Sequence, residues 1–421
     1  GIGHVAANFS TGEAIAELPG HMACGHVRYS TTGGSGLRNV QPLFADFEFG
    51  GLAIAHNGNL TNSLAVRERL VKRGSIFQST SDTETFIHLI ATSLYEKIVD
   101  RLIDAVRQVE GAYSLVVMTQ KKLIGVRDPL GVRPLVLGQL EGSWILASET
   151  CAFDIIGAEF VRDIEPGEMV TITADGVQSS RPFGNSQPSR FCIFEYVYFS
   201  RPDSFIQGRH VYDTRKRMGE ELAYAERHDI DVVVPVPDSG VPASLGYAQA
   251  LGCPFELGII RNHYVGRTFI EPTDEIRHLG VKLKHNANRT VLKGKKVALV
   301  DDSIVRGTTL RKVASMIRDA GAKEIHIRIS CPQWIATCHY GVDTPKSSEL
   351  IATTHTLEQM PEHFNVESVQ YLGIDALYRA VGETGRSAPS PQYCDACFTG
   401  EYPVQPEETD DPIVQVHTLS A

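Results

Sequence analysis

A chain of 421 residues, 42% hydrophobic and 21% charged, has an ordinary globular composition and is long enough for two or three domains. Its formal net charge of -10 argues against a nucleic-acid-binding surface, and no apolar run promises a membrane-spanning helix. Eight cysteines, of which only Cys394 and Cys397 form a CxxC, are not a disulfide framework, and such a pair points to metal or redox chemistry.

The opening stretch GIGHVAANFS has neither the basic nor the apolar region of a signal peptide, so a cytoplasmic location is expected. Over residues 1–185 short β-type runs dominate, at 52–55, 113–118, 144–147 and 169–172. Asn57-Gly58, Asp128-Pro129 and Glu165-Pro166-Gly167 read as turns between them. Helical patterns over 82–95 and 98–109 predict a first domain of antiparallel sheet with packed helices. Residues 181–190, RPFGNSQPSR, read as a linker.

A second domain, 195–375, has a different rhythm. Helices are expected over 212–227, 242–251 and 309–320, and strands over 232–236, 255–260, 297–300 and 324–329. That alternation predicts a parallel sheet with right-handed crossovers. A C-terminal segment, 376–421, ends in an acidic, Pro-containing stretch that is a poor candidate for order.

The most informative string is VALVDDSIVRGTT at 297–309. Ligands bind outside the carboxyl ends of parallel strands, and Asp301 and Asp302 stand at such an end. Paired carboxylates there can accept hydrogen bonds from the vicinal hydroxyls of a sugar and help hold Mg²⁺. Ser303, Arg306, Gly307, Thr308 and Thr309 then open a helix, and backbone N–H groups at its start make a phosphate cradle. Sugar diol plus phosphate describes a ribose 5-phosphate. A plainer alternative is a helix-capping cluster followed by a turn. A second loop, Asp238-Ser239-Gly240 after strand 232–236, also offers N–H groups to an anion, though such a sequence is a common turn. Between the two loops, a polar stretch at 263–286 carries Arg267, Lys282 and Lys284 and reads as a lid that closes over an anionic substrate. The alternative is a solvated charged loop.

In the first domain GHVRYST, AHNGNLTN and STSDTET stand out. Asn57 and Gly58 can form a hairpin turn, or can offer an amide and a backbone N–H to one oxyanion. Arg28 can clamp an α-carboxylate and Asp82 an α-amino group, which together describe a glutamine site.

VDDSIVRGTT resembles the phosphoribosyl-pyrophosphate signature of type I phosphoribosyltransferases, and the first-domain motifs resemble the N-terminal-nucleophile glutaminase domain of class II amidotransferases. DPLGVRPLVLG, FEYVYFSRPDS, PVPDSG and YGVDTP fall in order with them, so nearly the whole chain is similar to the glutamine phosphoribosylpyrophosphate amidotransferase family. The resemblance implies an αββα glutaminase sandwich followed by a phosphoribosyltransferase domain. It implies glutamine hydrolysis in the first, passage of ammonia through an internal tunnel, and attack on ribose C1 in the second. It further implies Mg²⁺ at Ser239, Asp301 and Asp302, pyrophosphate at Asp238–Gly240, purine nucleotide inhibitors and a homotetramer. The family nucleophile is an N-terminal cysteine; residue 1 here is glycine, so a preceding segment carrying it is expected, and the chain as written is expected to use ammonia alone. Two other readings, a sugar-phosphate amidotransferase and a non-catalytic phosphoribosyl-pyrophosphate-sensing regulator, fit less of the sequence.

Cys192, Cys338, Cys394 and Cys397 can make a four-cysteine site, for which spacing alone leaves zinc, an iron–sulfur cluster and unligated thiols open. The resemblance implies a [4Fe–4S] cluster on these four, with Cys331 the rival to Cys338. Cys24, Cys151 and Cys253 are expected as small core residues.

Overall fold

The computed structural model describes residues 1–28, 36–184, 188–225, 229–262 and 285–406. The first half carries β1 (Leu43–Phe47), β2 (Gly50–Leu60), β3 (Gly111–Thr119), β4 (Leu123–Arg127), β5 (Val136–Leu140), β6 (Ser143–Ala147), β7 (Glu159–Asp163), β8 (Met169–Thr173) and β9 (Gly176–Ser180). They form an antiparallel sheet in the order β1-β2-β3-β4-β8-β9 and a smaller one in the order β6-β5-β7. Helices Glu84–Thr92 and Ile98–Val106 bring Phe86, Leu89, Ile90, Leu102, Ala105 and Val106 into one core with Leu52, Ile54, Leu115 and Val117. The spacing of Leu102, Ala105 and Val106 is the helical period that aims one face inward.

Beyond β10 (Phe191–Cys192), β11 (Phe205–Ile206) and β12 (Arg209–His210) come β13 (Val232–Pro235), β14 (Ile259–Arg261), β15 (His285–Ala287), β16 (Lys296–Asp301), β17 (Glu324–Ile329), β18 (Ser368–Tyr371) and β19 (Tyr393–Cys394). The parallel sheet runs β13-β16-β17-β18. Val297, Ala298, Leu299 and Val300 are all fully buried, as a strand covered on both faces requires, and each Val or Leu side chain among them contributes about 1.5–3 kcal/mol. Two glycines set the helix layer. A methyl on Gly219 of helix Val211–Ala225 would stand 1.8 Å from the Ala243 carbonyl oxygen, and one on Gly246 of helix Val241–Leu251 would stand 1.9 Å from that of Lys216. Those two helices therefore touch backbone to backbone.

Three expectations need correction. Asn57-Gly58 is not a turn: both lie inside β2, paired with Ser114 and Tyr113 of β3. The helix expected over 82–95 runs Glu84–Thr92, and the Asp82 carboxylate ahead of it accepts from the Leu60 amide at 3.0 Å. The strand expected over 255–260 is cut: Phe255 makes a lone bridge to Val233, and Gly258 packs so tightly on Val234 that the chain turns before β14. Cys24 and Cys253 are also only partly buried, whereas Cys151 is buried.

Candidate active site

β13 and β16 are neighbours, so their carboxyl ends bring the two predicted loops together. Gly240 sits against the end of β16: a Cβ there would be 2.5 Å from the Val300 carbonyl oxygen and 3.3 Å from Asp301 Cα. Asp302 is buried, and its amide donates to Asp301 Oδ1 at 2.9 Å. Burial, with the neighbouring Asp302 charge, pushes the Asp301 carboxyl well above the usual carboxylate range. The Ser303 hydroxyl donates to Asp302 Oδ2. Two crowded carboxylates of this kind form a donor set suited to a hard cation.

The helix Thr308–Asp319 opens directly after this pair, with Thr308 and Thr309 exposed at its start. Gly307 precedes it with φ +75°, a conformation that other residues rarely adopt, and its α-carbon is pressed on Ile351 and Phe364. Arg306 is exposed and pairs with Glu349 at 2.9 Å. Ser239 is half-buried in the first loop, and Asp238 is exposed and paired with Arg261 of β14. Arg267, Lys282 and Lys284 lie outside the described residues. The segment that carries them leaves from β14 and returns into β15, and these two pair antiparallel with Arg261 opposite His285.

In the first half, β2 presents Asn57 and Gly58 beside Asp82. Asp82 Oδ2 accepts from the Leu60 amide and stands 3.6 Å from His56 Nδ1. His56 is buried, its amide held by Gln41 at 2.7 Å and its Nδ1 3.3 Å from the Thr83 hydroxyl. Burial lowers the Arg28 guanidinium from its ordinary value, with the Asp82 charge opposing. Burial, then His56 and Arg28, lower the pKa of His26 to about 4. His26 and His56 were not singled out from the sequence. Their signal was present in the motifs GHVRYST and AHNGNLTN, one residue from Val27-Arg28 and next to Asn57.

Cys192, Cys338, Cys394 and Cys397 line a single cavity with Arg133, Phe194, Trp334, Tyr340, Val342 and Ala396. Cys331 does not line it; it is buried separately, with its thiol 3.2 Å from the Pro332 carbonyl oxygen. Cys192 is the register partner of Cys394 in the parallel pair β10–β19. Burial pushes the Cys192 thiol up to about 12 and raises the other three. Backbone N–H groups of Tyr340, Val342 and Gly341 oppose that at Cys338, and Arg133 opposes it at both Cys192 and Cys338. Arg133 comes from the first half of the chain, is fully buried, and pairs with Glu195 at 3.0 Å. Among the described residues no three His, Cys, Asp or Glu side chains converge closely enough for a single metal ion. A tetrahedral zinc site would need that convergence. Four thiols around one cavity are the donor type that a polynuclear cluster takes.

These two regions define a protein with a glutaminase-type half and a phosphoribosyl-binding half. The glutamine amidotransferase domain model matches residues 26–154, and the phosphoribosyl transferase domain model matches 212–341. Amidophosphoribosyltransferase of Rhizobium etli is 54% identical, over 96% of this chain and 82% of its own length. That of Bacillus subtilis is 44% identical, over 96% and 85%. A solved structure of the B. subtilis glutamine phosphoribosylpyrophosphate amidotransferase, complexed with ADP and GMP, superposes with a TM-score of 0.85 at 43% identity, covering 91% of this chain and 83% of that one. The chain belongs to the amidophosphoribosyltransferase family.

Proposed function

We propose that the two regions are successive sites of one reaction. The family's reaction moves the amide nitrogen of glutamine to C1 of 5-phosphoribosyl 1-pyrophosphate, giving 5-phosphoribosylamine, glutamate and pyrophosphate, and is the first step of purine biosynthesis. The observation that carries the residue assignment is the meeting of Gly240 with the end of β16, which puts the Asp238–Gly240 loop beside the carboxylate pair.

In this reading Asp301 and Asp302 accept the ribose hydroxyls, and the start of helix Thr308–Asp319, with Ser303 and Gly307, holds the 5-phosphate through backbone N–H groups. Asp238, Ser239 and Gly240 receive the pyrophosphate, and Arg306, Arg267, Lys282 and Lys284 turn toward it when substrate binds. Mg²⁺ would be held by Asp301, Asp302 and Ser239, together with substrate oxygens. When bound it would neutralise the leaving pyrophosphate. At the first site Arg28 takes the α-carboxylate of glutamine and Asp82 its α-amino group. Asn57 and Gly58 donate to the oxyanion that forms as the amide is attacked. Ammonia then passes through the protein interior to C1. A regulator that only senses the sugar phosphate is not favoured, because it would have no use for a glutamine site.

A [4Fe–4S] cluster on Cys192, Cys338, Cys394 and Cys397 is part of this reading. When bound it would tie the C-terminal segment to the junction between the halves. Purine nucleotides are proposed as inhibitors, supported by the ADP and GMP in the B. subtilis relative. A homotetramer is proposed on the family resemblance. No helix among the described residues is long and apolar enough to cross a membrane, and a cytoplasmic location is proposed. The test of the coupled reaction is the ratio of glutamate to pyrophosphate released from glutamine and 5-phosphoribosyl 1-pyrophosphate by the full-length protein. Equal release supports the reading, and glutamate release that ignores the sugar phosphate contradicts it.

A further inference from the structure

The strand that carries Asn57 and Gly58 is supported unevenly. β3 pairs with it from Leu52 to Leu60, but β1 leaves it after Ile54. On the side of Gly58 facing β3 there is no slack, since a Cβ there would stand 2.0 Å from the Ala112 carbonyl oxygen. The far side is met by a turn from the other half of the chain, residues 338–341.

Gly341 lies directly on Gly58. A Cβ built on Gly341 would be 2.9 Å from both Cα and C of Gly58 and 3.0 Å from its oxygen, and Gly341 has φ +103°. One residue along, Asn59 Nδ2 donates to the His339 carbonyl oxygen at 2.9 Å. The same turn begins at Cys338, which lines the cysteine cavity and accepts from the Tyr340 amide at 3.4 Å. It is clamped from behind. The Tyr402 hydroxyl donates to the Thr337 carbonyl oxygen at 2.6 Å, and the Tyr340 hydroxyl accepts from the Val404 amide at 3.0 Å.

An oxyanion donor acts only while its N–H is held within a few tenths of an ångström of its line of action. We propose that the 338–341 turn is the positioning element that holds the backbone at Gly58 and Asn59, and through it the Asn57–Gly58 donors, in productive orientation, so that the wall of the cysteine cavity supports glutamine chemistry in the other half of the molecule. This rests on the reading of Asn57 and Gly58 as oxyanion donors. His339 and Gly341 touch no reacting atom in it; they act through Asn59 and Gly58.

Steady-state kinetics of the full-length protein test it, with glutamine and with ammonium chloride as alternative nitrogen donors. Gly341→Ala forces a methyl against Gly58. The glutamine-dependent kcat should fall by about tenfold or more, while the glutamine KM and the ammonia-dependent rate stay within about twofold. Asn59→Ala, a milder change that decides the matter alone if Gly341→Ala does not fold, should show the same split at about fivefold. Equal loss of both rates, no loss of the glutamine-dependent rate, or a rise in KM at unchanged kcat would overturn the proposal. An Asn57→Ala arm judges the underlying reading separately. If it leaves the glutamine-dependent rate intact, the oxyanion assignment fails, whatever the turn does.

Discussion

Cys192 and Cys394 stand opposite one another across the parallel β10–β19 pair, although about half the chain separates them in sequence. Cys338 and Cys397 complete the wall of the same cavity. Burial raises all four thiols, Arg133 opposes this at Cys192 and Cys338, and ligation of a metal cluster would favour their thiolate forms.

Anaerobically purified protein is therefore expected to be brown, with about four irons per chain. Cys338→Ser should bleach it and lower the unfolding midpoint, and Cys331→Ser should leave the colour unchanged. Iron content and visible absorbance of the two variants decide between the ligand sets. A colourless wild type would remove the cluster.

Asp301 predicts a stability effect opposite to its effect on activity. Its folded carboxyl titrates above the ordinary range, so the folded chain holds a proton that the unfolded chain has released. That contribution is present below the unfolded value and is lost as pH rises through the folded one. At neutral pH, without Mg²⁺, Asp301→Asn should raise the unfolding midpoint while abolishing most ammonia-dependent synthesis. Thermal unfolding in chelator checks this, and a lowered midpoint at unaltered activity would count against the pair.

His26 has the reverse sign. Its pKa is lowered from 6.5 to about 4, so its neutral form contributes stability above the unfolded value that is lost as pH falls through that window. His26→Gln should flatten the difference in stability between pH 6.5 and 4. Urea titrations of both proteins across the range provide the measurement, and identical slopes would show that the ring is not held neutral.

Gly240→Ala introduces a methyl 2.5 Å from the Val300 carbonyl oxygen. The loop must shift, at about 1–3 kcal/mol. Glutamine-dependent and ammonia-dependent synthesis should fall together, since both use the phosphoribosyl site. A selective loss of either would show that the loop serves something else.

Much of the fold of the second half was legible because local pattern and tertiary role coincide there. The strand 324–329 is found as expected from its alternating isoleucines, and β16 extends the predicted 297–300 by one residue at each end, because consecutive aliphatic residues ending in charge admit few alternatives. Asn57-Gly58 misled as punctuation, because the strongest short hairpin signal is here overridden by pairing along β3. His26 and His56 escaped notice since a buried histidine announces itself only through neighbours such as Gln41, Thr83 and Asp82 that are distant in sequence. The contact of Gly341 with Gly58 was not legible at all, because a glycine in a turn says nothing about which backbone will press on it.

The carboxylate pair at the end of β16 is proposed to bind the sugar whose C1 receives ammonia. The most direct measurement is pyrophosphate release from 5-phosphoribosyl 1-pyrophosphate with ammonium chloride as nitrogen donor, in the wild type and in Asp302→Asn. The wild type should release pyrophosphate in a Mg²⁺-dependent manner, and the variant should lose about 100-fold with its fold intact by circular dichroism. Equal rates in the two proteins would contradict that assignment.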